Sequence, residues 1–359
     1  MTGEPRRILH VVDRASGGVP VAVAAYIQNS PDGVEHHVLT PFDSENRPPA
    51  AFHKVNAEMI PLREGHIRRL HQIASTSKRL RPMMVHAHSS FAGAYTRLAV
   101  RDGRRRIVYT PHCYAFQRTD VSRAARWAYR AIEWVLGWNT ATLAACSRRE
   151  AAMSEEMASL RGRARMLPNI ASVPATRGVV WDGVAPLRVA MVGRLSPQKD
   201  PGYFESVVAE LRRHSEVEAI WFGDGDDTYI SRLENAGIDV TGWVSPSTVS
   251  RGLAEAHLYI HTAAWEGFPI SLLDAHCLDR PMLVRAIDSF SGVDPSATVE
   301  KGLPDLIDAL SSADCFASWV KRNRVAWTTY LTGNTAAAQR EELASIWGIE
   351  SPRTENGLE

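Results

Sequence analysis

Residues 265–275 read Trp-Glu-Gly-Phe-Pro-Ile-Ser-Leu-Leu-Asp-Ala, and they closely follow the apolar run 257–262. The run has the length and composition of a buried β-strand, and Pro269 suits the first turn of a helix after it. Backbone N–H groups at such a helix start can receive phosphate oxygens. Glu266 precedes the helix and Asp274 lies eight residues further on, about two turns. Both carboxylates are predicted to face one cleft, where each can accept two hydrogen bonds from a vicinal diol.

The same order of strand, turn and helix repeats along most of the chain. Apolar runs predict strands at 7–13, 35–41, 57–62, 83–88, 107–111, 142–146 and 165–168, and again at 187–192, 217–222, 238–241, 257–262 and 281–287. The stretches between these runs show the longer spacing of apolar residues that is typical of helices, and they predict helices at 19–29, 66–80, 90–101, 122–138 and 147–160. This alternation predicts an α/β protein with two parallel sheets. Two such sheets facing across a cleft would share one ligand site.

The length of 359 residues suits two domains. We predict Rossmann-like domains at 1–170 and 187–330, joined by a linker at 171–186 that contains several glycines and prolines. A C-terminal helix at 331–350 is expected to pack back toward the first domain, followed by a disordered tail at 351–359.

The composition is typical of a globular protein, with 45% apolar and 23% charged residues. No apolar run is long enough to span a bilayer, and the short run 8–12 does not resemble a signal peptide. We therefore expect a cytoplasmic protein. The four cysteines show no metal or disulfide spacing, and reduced thiols are expected.

Charge is distributed unevenly: residues 1–175 carry a net charge of +11 and residues 176–359 a net charge of −10. Fifteen basic residues lie within 63–130, and the predicted helix 122–138 adds Trp127, Trp134 and Trp138. Arginines beside tryptophans are typical of an anionic membrane surface, here the inner face of the plasma membrane. A solvated basic face with the tryptophans in the core is the alternative. No motif supports a nucleic-acid partner.

Other predicted strand ends carry residues suited to an anionic ligand. Gly17 and Gly18 open the first helix, Arg194 and Lys199 follow the strand that ends before Gly193, and His112 follows Thr110-Pro111. Two cations that converge on a cleft suit a diphosphate, and a histidine can donate to a sugar hydroxyl or a developing negative charge. A tight turn, surface charges and a structural histidine are the simpler alternatives. Asp224-Gly225-Asp226 is the one candidate metal motif, and we interpret it as a solvated turn.

In their order along the chain these motifs resemble the retaining glycosyltransferases of the GT-B fold called family 4. The hallmark of that family is a Glu, seven residues and a second Glu, matched here by Glu266 and Asp274. Further matches are Gly17-Gly18, Thr110-Pro111-His112, Ala145-Cys146-Ser147, Leu167-Pro168-Asn169, Gly193-Arg194-Leu195 with Lys199, and Gly223-Asp224-Gly225. The resemblance covers about residues 7–290. Pro111-His112-Cys113-Tyr114-Ala115-Phe116 also resembles members that build cell-surface polysaccharides.

The resemblance implies transfer of a sugar, with retention and without a metal or cofactor, from a nucleoside-diphosphate sugar to a glycan, lipid-linked or small-molecule acceptor. The first domain would then face the acceptor and the second would bind the nucleotide sugar. The implied catalytic residues are His112, Glu266, Arg194 and Lys199. The implied donor-binding residues are Gly17, Gly18, Gly193, Arg194, Lys199, Gly223, Glu266, Gly267, Phe268, Pro269, Ile270 and Asp274.

In detail, the resemblance places the donor diphosphate on Arg194 and Lys199, the sugar hydroxyls on Glu266 and the ribose on Asp274. His112 would contact the sugar near the reacting carbon. The sequence departs from the family pattern at Asp274, which is one methylene shorter than the usual Glu, and in the loop 276–292. A degenerate member acting as a binding subunit and a sugar-nucleotide 2-epimerase are the alternative functions.

Overall fold

The computed structural model describes residues 6–184 and 186–349. They form two compact units, each with its own parallel β-sheet. Unit 1 comprises residues 6–116, 123–170 and 334–349; unit 2 comprises 117–122, 171–184 and 186–333. The predicted tail 351–359 lies outside the described residues.

Unit 1 contains a seven-stranded sheet with the order β3-β2-β1-β4-β5-β6-β7. Its strands are β1 (Arg6–Val12), β2 (Val34–Thr40), β3 (Glu58–Pro61), β4 (Met84–His88), β5 (Ile107–Thr110), β6 (Thr142–Ala145) and β7 (Ala164–Met166). The inner strands are buried, as expected for a parallel sheet that helices cover on both faces. The direction of winding reverses between β1 and β4, which opens a crevice at the carboxyl ends of these strands.

Unit 2 contains a five-stranded parallel sheet with the order β10-β9-β8-β11-β12. Its strands are β8 (Leu187–Val192), β9 (Val217–Phe222), β10 (Asp239–Val240), β11 (Leu258–His261) and β12 (Met282–Val284). Trp221 and Trp327 are fully buried in its core. The winding reverses between β8 and β11, so a second crevice is expected where these two strands end.

Thirteen α-helices connect or cover the strands among the described residues. They are α1 (Gly18–Gln28), α2 (His66–Leu80), α3 (Ser90–Ala99), α4 (Gly103–Arg106), α5 (Arg123–Gly137), α6 (Arg148–Glu155), α7 (Pro201–Leu211), α8 (Asp227–Asn235), α9 (Pro246–Glu255), α10 (Ile270–Cys277), α11 (Val299–Ala309), α12 (Ala313–Tyr330) and α13 (Ala336–Trp347). None of the helices that the structure describes combines the length and apolar character needed to cross a bilayer.

The segment predicted as a linker, 171–186, contacts unit 2 over its described part. Trp181 is buried in the core of unit 2, and the buried Arg280 guanidinium donates to the carbonyls of Val179 and Ala256. The segment therefore packs onto unit 2 through the buried Trp181 side chain and the Val179 carbonyl, which accepts a hydrogen bond from Arg280. The chain then returns to unit 1, where α13 is held by hydrogen bonds from Gln339 to Pro168 O and from Asn29 to Gln339, both 2.8 Å long.

Candidate active site

The loops after β8 and β9 approach each other closely in unit 2. An added Cβ on Gly223 would lie 2.1 Å from the Gly193 carbonyl oxygen, and one on Gly225 would lie 2.1 Å from the Leu195 carbonyl oxygen. Only glycine allows this approach. The Gly193 carbonyl also accepts a 2.7 Å hydrogen bond from the Trp221 indole. These contacts fix the loop that carries Arg194 and Lys199, and Arg194 is exposed on it.

Lys199 and Glu266, which are 67 residues apart, form an ion pair at the carboxyl edge of the unit 2 sheet. Their side chains are 15% and 9% exposed, and His261 Nε2 lies 3.4 Å from the same carboxylate oxygen. Burial alone would raise the pKa of Glu266, but the Lys199 charge and the His261 hydrogen bond lower it to about 2. Burial, followed by the Lys199 charge, lowers the pKa of His261 to about 4. The site therefore holds an anionic carboxylate beside a cation and a neutral imidazole at neutral pH.

Helix α10 begins just after Glu266, and its N-terminal turn has no side-chain cap. Pro269 is its N-cap, so the prediction that this proline lies within the first turn was off by one position. Gly267 and Pro269 are buried, and the Phe268 ring lies near Phe290 and Tyr330, with centroids 6.4 and 6.3 Å apart. The N–H groups that open α10, beginning with Ile270, follow Glu266 by four residues and have no side-chain cap, which suits an anion.

Asp274, the second carboxylate of the predicted pair, already has partners within unit 2. Its oxygens accept hydrogen bonds from the Ser172 backbone N–H at 2.6 Å and from the Ser172 hydroxyl at 2.9 Å. Burial raises the pKa of Asp274 to about 6, although the Ser172 hydrogen bonds oppose this shift. A ribose diol at Asp274 would therefore compete with Ser172 and would meet a carboxylate that is ionised above about pH 6.

Unit 1 places Gly17, Gly18 and His112 at the carboxyl edge of its own sheet. Gly17 caps α1 with φ of 88°, and an added Cβ on either glycine would meet no atom within 4 Å. The N-terminus of α1 is thus open to a ligand. His112 and Cys113 follow β5 with φ values of 53° and 104°, which are costly for residues other than glycine.

A buried carboxylate holds this strained turn in place. Glu150 accepts 2.8 Å hydrogen bonds from the Cys113 and Cys146 backbone N–H groups, and so ties together the chain after β5 and β6. The sequence analysis missed Glu150, although Ser147 and Glu150 have the spacing of a helix capping box, and Ser147 does accept the Glu150 N–H. Burial also lowers the pKa of His112 to about 3, so its imidazole is neutral at physiological pH.

Two further site residues were missed because a single strand-end residue gives no signal in the sequence. His261 ends β11, and the sequence analysis places it only within the predicted strand 257–262, yet it contacts Glu266. Asp13 lies after β1 and accepts a hydrogen bond from Ser89, which has φ of 82°.

The two carboxylates of the candidate metal motif, Asp224 and Asp226, do not converge: Asp226 caps α8, and Asp224 accepts the Gly225 N–H at 2.9 Å.

Residues 17–171 match the family model described as "Glycosyltransferase Family 4", and residues 186–299 match the one described as "Glycosyl transferases group 1". The chain belongs to the family 4-type, group 1 glycosyltransferases. The two matched segments contain every residue that the resemblance singled out.

Known glycosyltransferases share the fold. Anabaena HepE in complex with UDP-glucose aligns with a TM-score of 0.74 at 14% identity, over 95% of this chain and 99% of that one. WaaG, a glycosyltransferase involved in lipopolysaccharide biosynthesis, aligns with a TM-score of 0.64 at 16% identity, over 94% and 99% of the two chains. At these identities the likeness establishes the GT-B fold.

One curated relative was found by sequence. It is the Escherichia coli UDP-Gal:alpha-D-GlcNAc-diphosphoundecaprenol alpha-1,3-galactosyltransferase, 24% identical over 234 residues. The match covers 57% of this chain and spans only 58% of the relative.

Proposed function

We propose that this protein is a retaining, metal-independent glycosyltransferase that moves a sugar from a nucleoside-diphosphate sugar to a hydroxyl of a glycan or lipid-linked acceptor, in cell-surface glycoconjugate biosynthesis. The observation that carries the proposal is the Lys199–Glu266 pair beside the loop of Arg194 and the uncapped start of α10. A cation, a carboxylate and free backbone N–H groups at one sheet edge suit a sugar diphosphate.

The chemistry of the proposal needs little from the protein except charge. The bond between the sugar C1 and the diphosphate oxygen breaks, and the acceptor oxygen bonds to C1 on the same face. The acceptor hydroxyl proton passes to the departing phosphate oxygen. Arg194, Lys199 and the N-terminus of α10 would stabilise the developing diphosphate charge, which is the main barrier to the reaction. Glu266 would then exchange part of its pairing with Lys199 for the hydroxyls of the transferred sugar.

A UDP-sugar is the proposed donor, because the E. coli relative is named for UDP-Gal and the HepE structure holds UDP-glucose. The proposed acceptor is a diphosphate-linked polyprenyl glycan, the class in the name of that relative. Such an acceptor lies in a membrane, so the protein would have to reach a lipid surface.

The surface of α5 supports that location. Trp127, Trp134 and Trp138 are 72%, 46% and 46% exposed, so the alternative that they pack in the core is wrong. Ile132 and Val135 are also about half exposed on this helix. Arg123, Arg126 and Arg130 lie on the same helix, and the Arg104 guanidinium lies 6.0 Å from the Trp138 ring. Exposed indoles with flanking arginines suit the headgroup region of an anionic membrane.

Donor transfer can be tested directly with purified protein. Incubation with a panel of nucleotide sugars and a synthetic polyprenyl-diphosphate glycan should give a glycosylated product only with both substrates, in the presence of EDTA. NMR of the product should show the anomeric configuration of the donor. Nucleotide-sugar binding without any transfer would support the binding-subunit alternative, and conversion of the sugar without an acceptor would support the 2-epimerase. Recovery of activity only with Mg²⁺ or Mn²⁺ would contradict the metal-independent mechanism.

Membrane contact can be tested by co-sedimentation with phosphatidylglycerol and phosphatidylcholine vesicles at low and high salt. We expect binding to the anionic vesicles, weakened by salt and by Trp127→Ser/Trp134→Ser. Trp243→Ser is the matched control, because Trp243 is 69% exposed but lies in unit 2. Equal absence of binding to both vesicles would favour an acceptor outside the membrane.

A further inference from the structure

Three buried imidazoles of unit 1, those of His36, His10 and His88, form a hydrogen-bonded chain that continues to the half-buried ring of His112. Nδ1 of His36 lies 3.1 Å from Nε2 of His10, and Nδ1 of His10 lies 3.1 Å from Nε2 of His88. Nδ1 of His88 in turn lies 3.4 Å from Nε2 of His112. Each contact joins Nδ1 of one ring to Nε2 of the next, so the chain has a direction.

The strand register explains why these rings meet. Strand β1 lies between β2 and β4, and His10 pairs with Val38 on one side and with His86 on the other. Alternate residues of a strand share a face, so His36 and His88, each two residues from those partners, lie on the same face as His10. His112 follows the neighbouring strand β5, and Glu150 holds the turn after it.

All four rings are neutral at physiological pH. Burial lowers the pKa of His10 and His88 well below the ordinary value, and it lowers the pKa of His36 to about 4 and that of His112 to about 3. A neutral imidazole carries one N–H and one bare nitrogen. Three hydrogen bonds use three of the four protons, and the fourth proton must lie at one end of the chain: on Nε2 of His36 or on Nδ1 of His112.

The surroundings of His36 decide between these two arrangements. Its Nε2 is buried and has no hydrogen-bond partner among the described residues. The adjacent ring of Trp347, 5.7 Å away between centroids, offers a donor and no acceptor. An N–H at this end would be an orphaned buried donor, which is rarer in proteins than an under-satisfied acceptor. The bare nitrogen therefore belongs on His36.

We infer that the histidine chain (His36, His10 and His88) holds His112 in the tautomer that carries its proton on Nδ1. His36 donates to His10, His10 to His88, and His88 to His112, which leaves the His112 Nδ1–H as a donor. This inference rests on the proposed function for its purpose: a donor at His112 suits a sugar oxygen or a developing negative charge. His10, His36 and His88 are positioning residues that act through His112.

The tautomer can be measured without any substrate. In protein labelled with ¹⁵N-histidine, we expect His112 to show a protonated Nδ1 and a bare Nε2, with its signals assigned by their loss in His112→Gln. His36→Asp places an acceptor at the far end and requires His10 to donate toward it. The whole chain then reverses, and His112 loses its Nδ1 proton three rings away. His37→Asp is the matched control, because His37 lies on the opposite face of β2 and pairs with Glu58.

A second pair of variants tests the chain closer to His112 if His36→Asp does not fold. The amide nitrogen of His88→Asn lies near the former Nδ1 and can still donate to His112, so the Nδ1–H tautomer should persist. His88→Leu cannot donate, and the population of that tautomer should fall. Sugar transfer should fall about 10²-fold or more in His36→Asp, in step with the tautomer, while nucleotide binding stays unchanged.

Three results would overturn the inference. These are an Nε2-protonated His112 in the unmodified protein, a tautomer unchanged in His36→Asp and His88→Leu, or stoichiometric zinc that is lost in His10→Leu. The zinc result is informative because ring nitrogens of His10, His86 and His88 lie within 4.8 Å of one another. If the protein shows the expected tautomers but transfers no sugar, the proposed function is contradicted and the inference about the histidine chain still holds.

Discussion

Replacement of Lys199 by methionine should destabilise unit 2, because it leaves the Glu266 carboxylate buried without its cation. The pKa of Glu266 is about 2 instead of the ordinary 4.5. At about 1.4 kcal/mol per pH unit, the ionised group contributes about 3 kcal/mol of stability at neutral pH. Breaking a buried pair from one side costs about 3–5 kcal/mol, which agrees with this magnitude.

The pH dependence gives the sign of the effect. In the native protein the lowered pKa means that the contribution is complete above about pH 4.5 and is lost as the pH falls toward 2. Without Lys199, burial would raise the pKa of Glu266, and the variant should gain stability as the pH falls from 7 to 5. The difference in stability between the variant and the native protein should therefore shrink over this range, because Asp274 titrates in both proteins.

The assay is hydrogen exchange, measured by mass spectrometry, on peptides from residues 187–284. Lys199→Met should lose about 3 kcal/mol of protection at pH 7, and Lys199→Met/Glu266→Gln should recover most of it. Arg213→Met is the matched control: its pair with Glu210 is exposed, and we expect a change within about 0.5 kcal/mol. Protection unchanged in Lys199→Met, or a native-like pH profile in that variant, would refute the reasoning.

Three further outcomes follow from contacts within single units. Asp274→Asn should raise the free energy of unfolding at pH 7 by about 1–2 kcal/mol, because a carboxylate whose pKa is raised to about 6 costs stability when it is ionised. Denaturant titration should show that this gain shrinks as the pH falls from 6 to 4. The same substitution should weaken nucleotide binding. Glu133→Leu should lower the free energy of unfolding in urea by about 3–5 kcal/mol, because it leaves the buried Arg97 without its partner. Arg97→Met/Glu133→Leu should recover most of this loss, and equal losses in the two variants would show that the pair is not coupled. Gly223→Ala should lower both the melting temperature and the nucleotide affinity, because the added Cβ would lie 2.1 Å from a backbone oxygen. Gly333→Ala is the control and should change neither, because its added Cβ meets no atom within 4 Å.

The amino-acid sequence determined the two α/β halves and the ends of the strands on which the candidate residues lie. Short apolar runs predict strands, and the stretches between them, in which apolar residues recur at helical spacing, predict helices. Parallel strands necessarily place their carboxyl ends at one edge of the sheet. The positions of Arg194, Lys199 and Glu266 along the chain are therefore enough to assign all three to one sheet edge. Boundaries were less certain, as at Pro269, because a proline fits equally well as the N-cap and in the first turn.

Only the tertiary structure decided which side chains are partners. Lys199 with Glu266, and Ser172 with Asp274, are pairs 67 and 102 residues apart in sequence. His36, His10 and His88 meet because β1 lies between β2 and β4, a strand order that periodicity does not encode. The pattern of one strand gives the face on which a residue lies, but the neighbour across the sheet depends on order and register. Solvent exposure of Trp127 was decided in the same way, because the residue pattern of one helix does not show whether another element covers it.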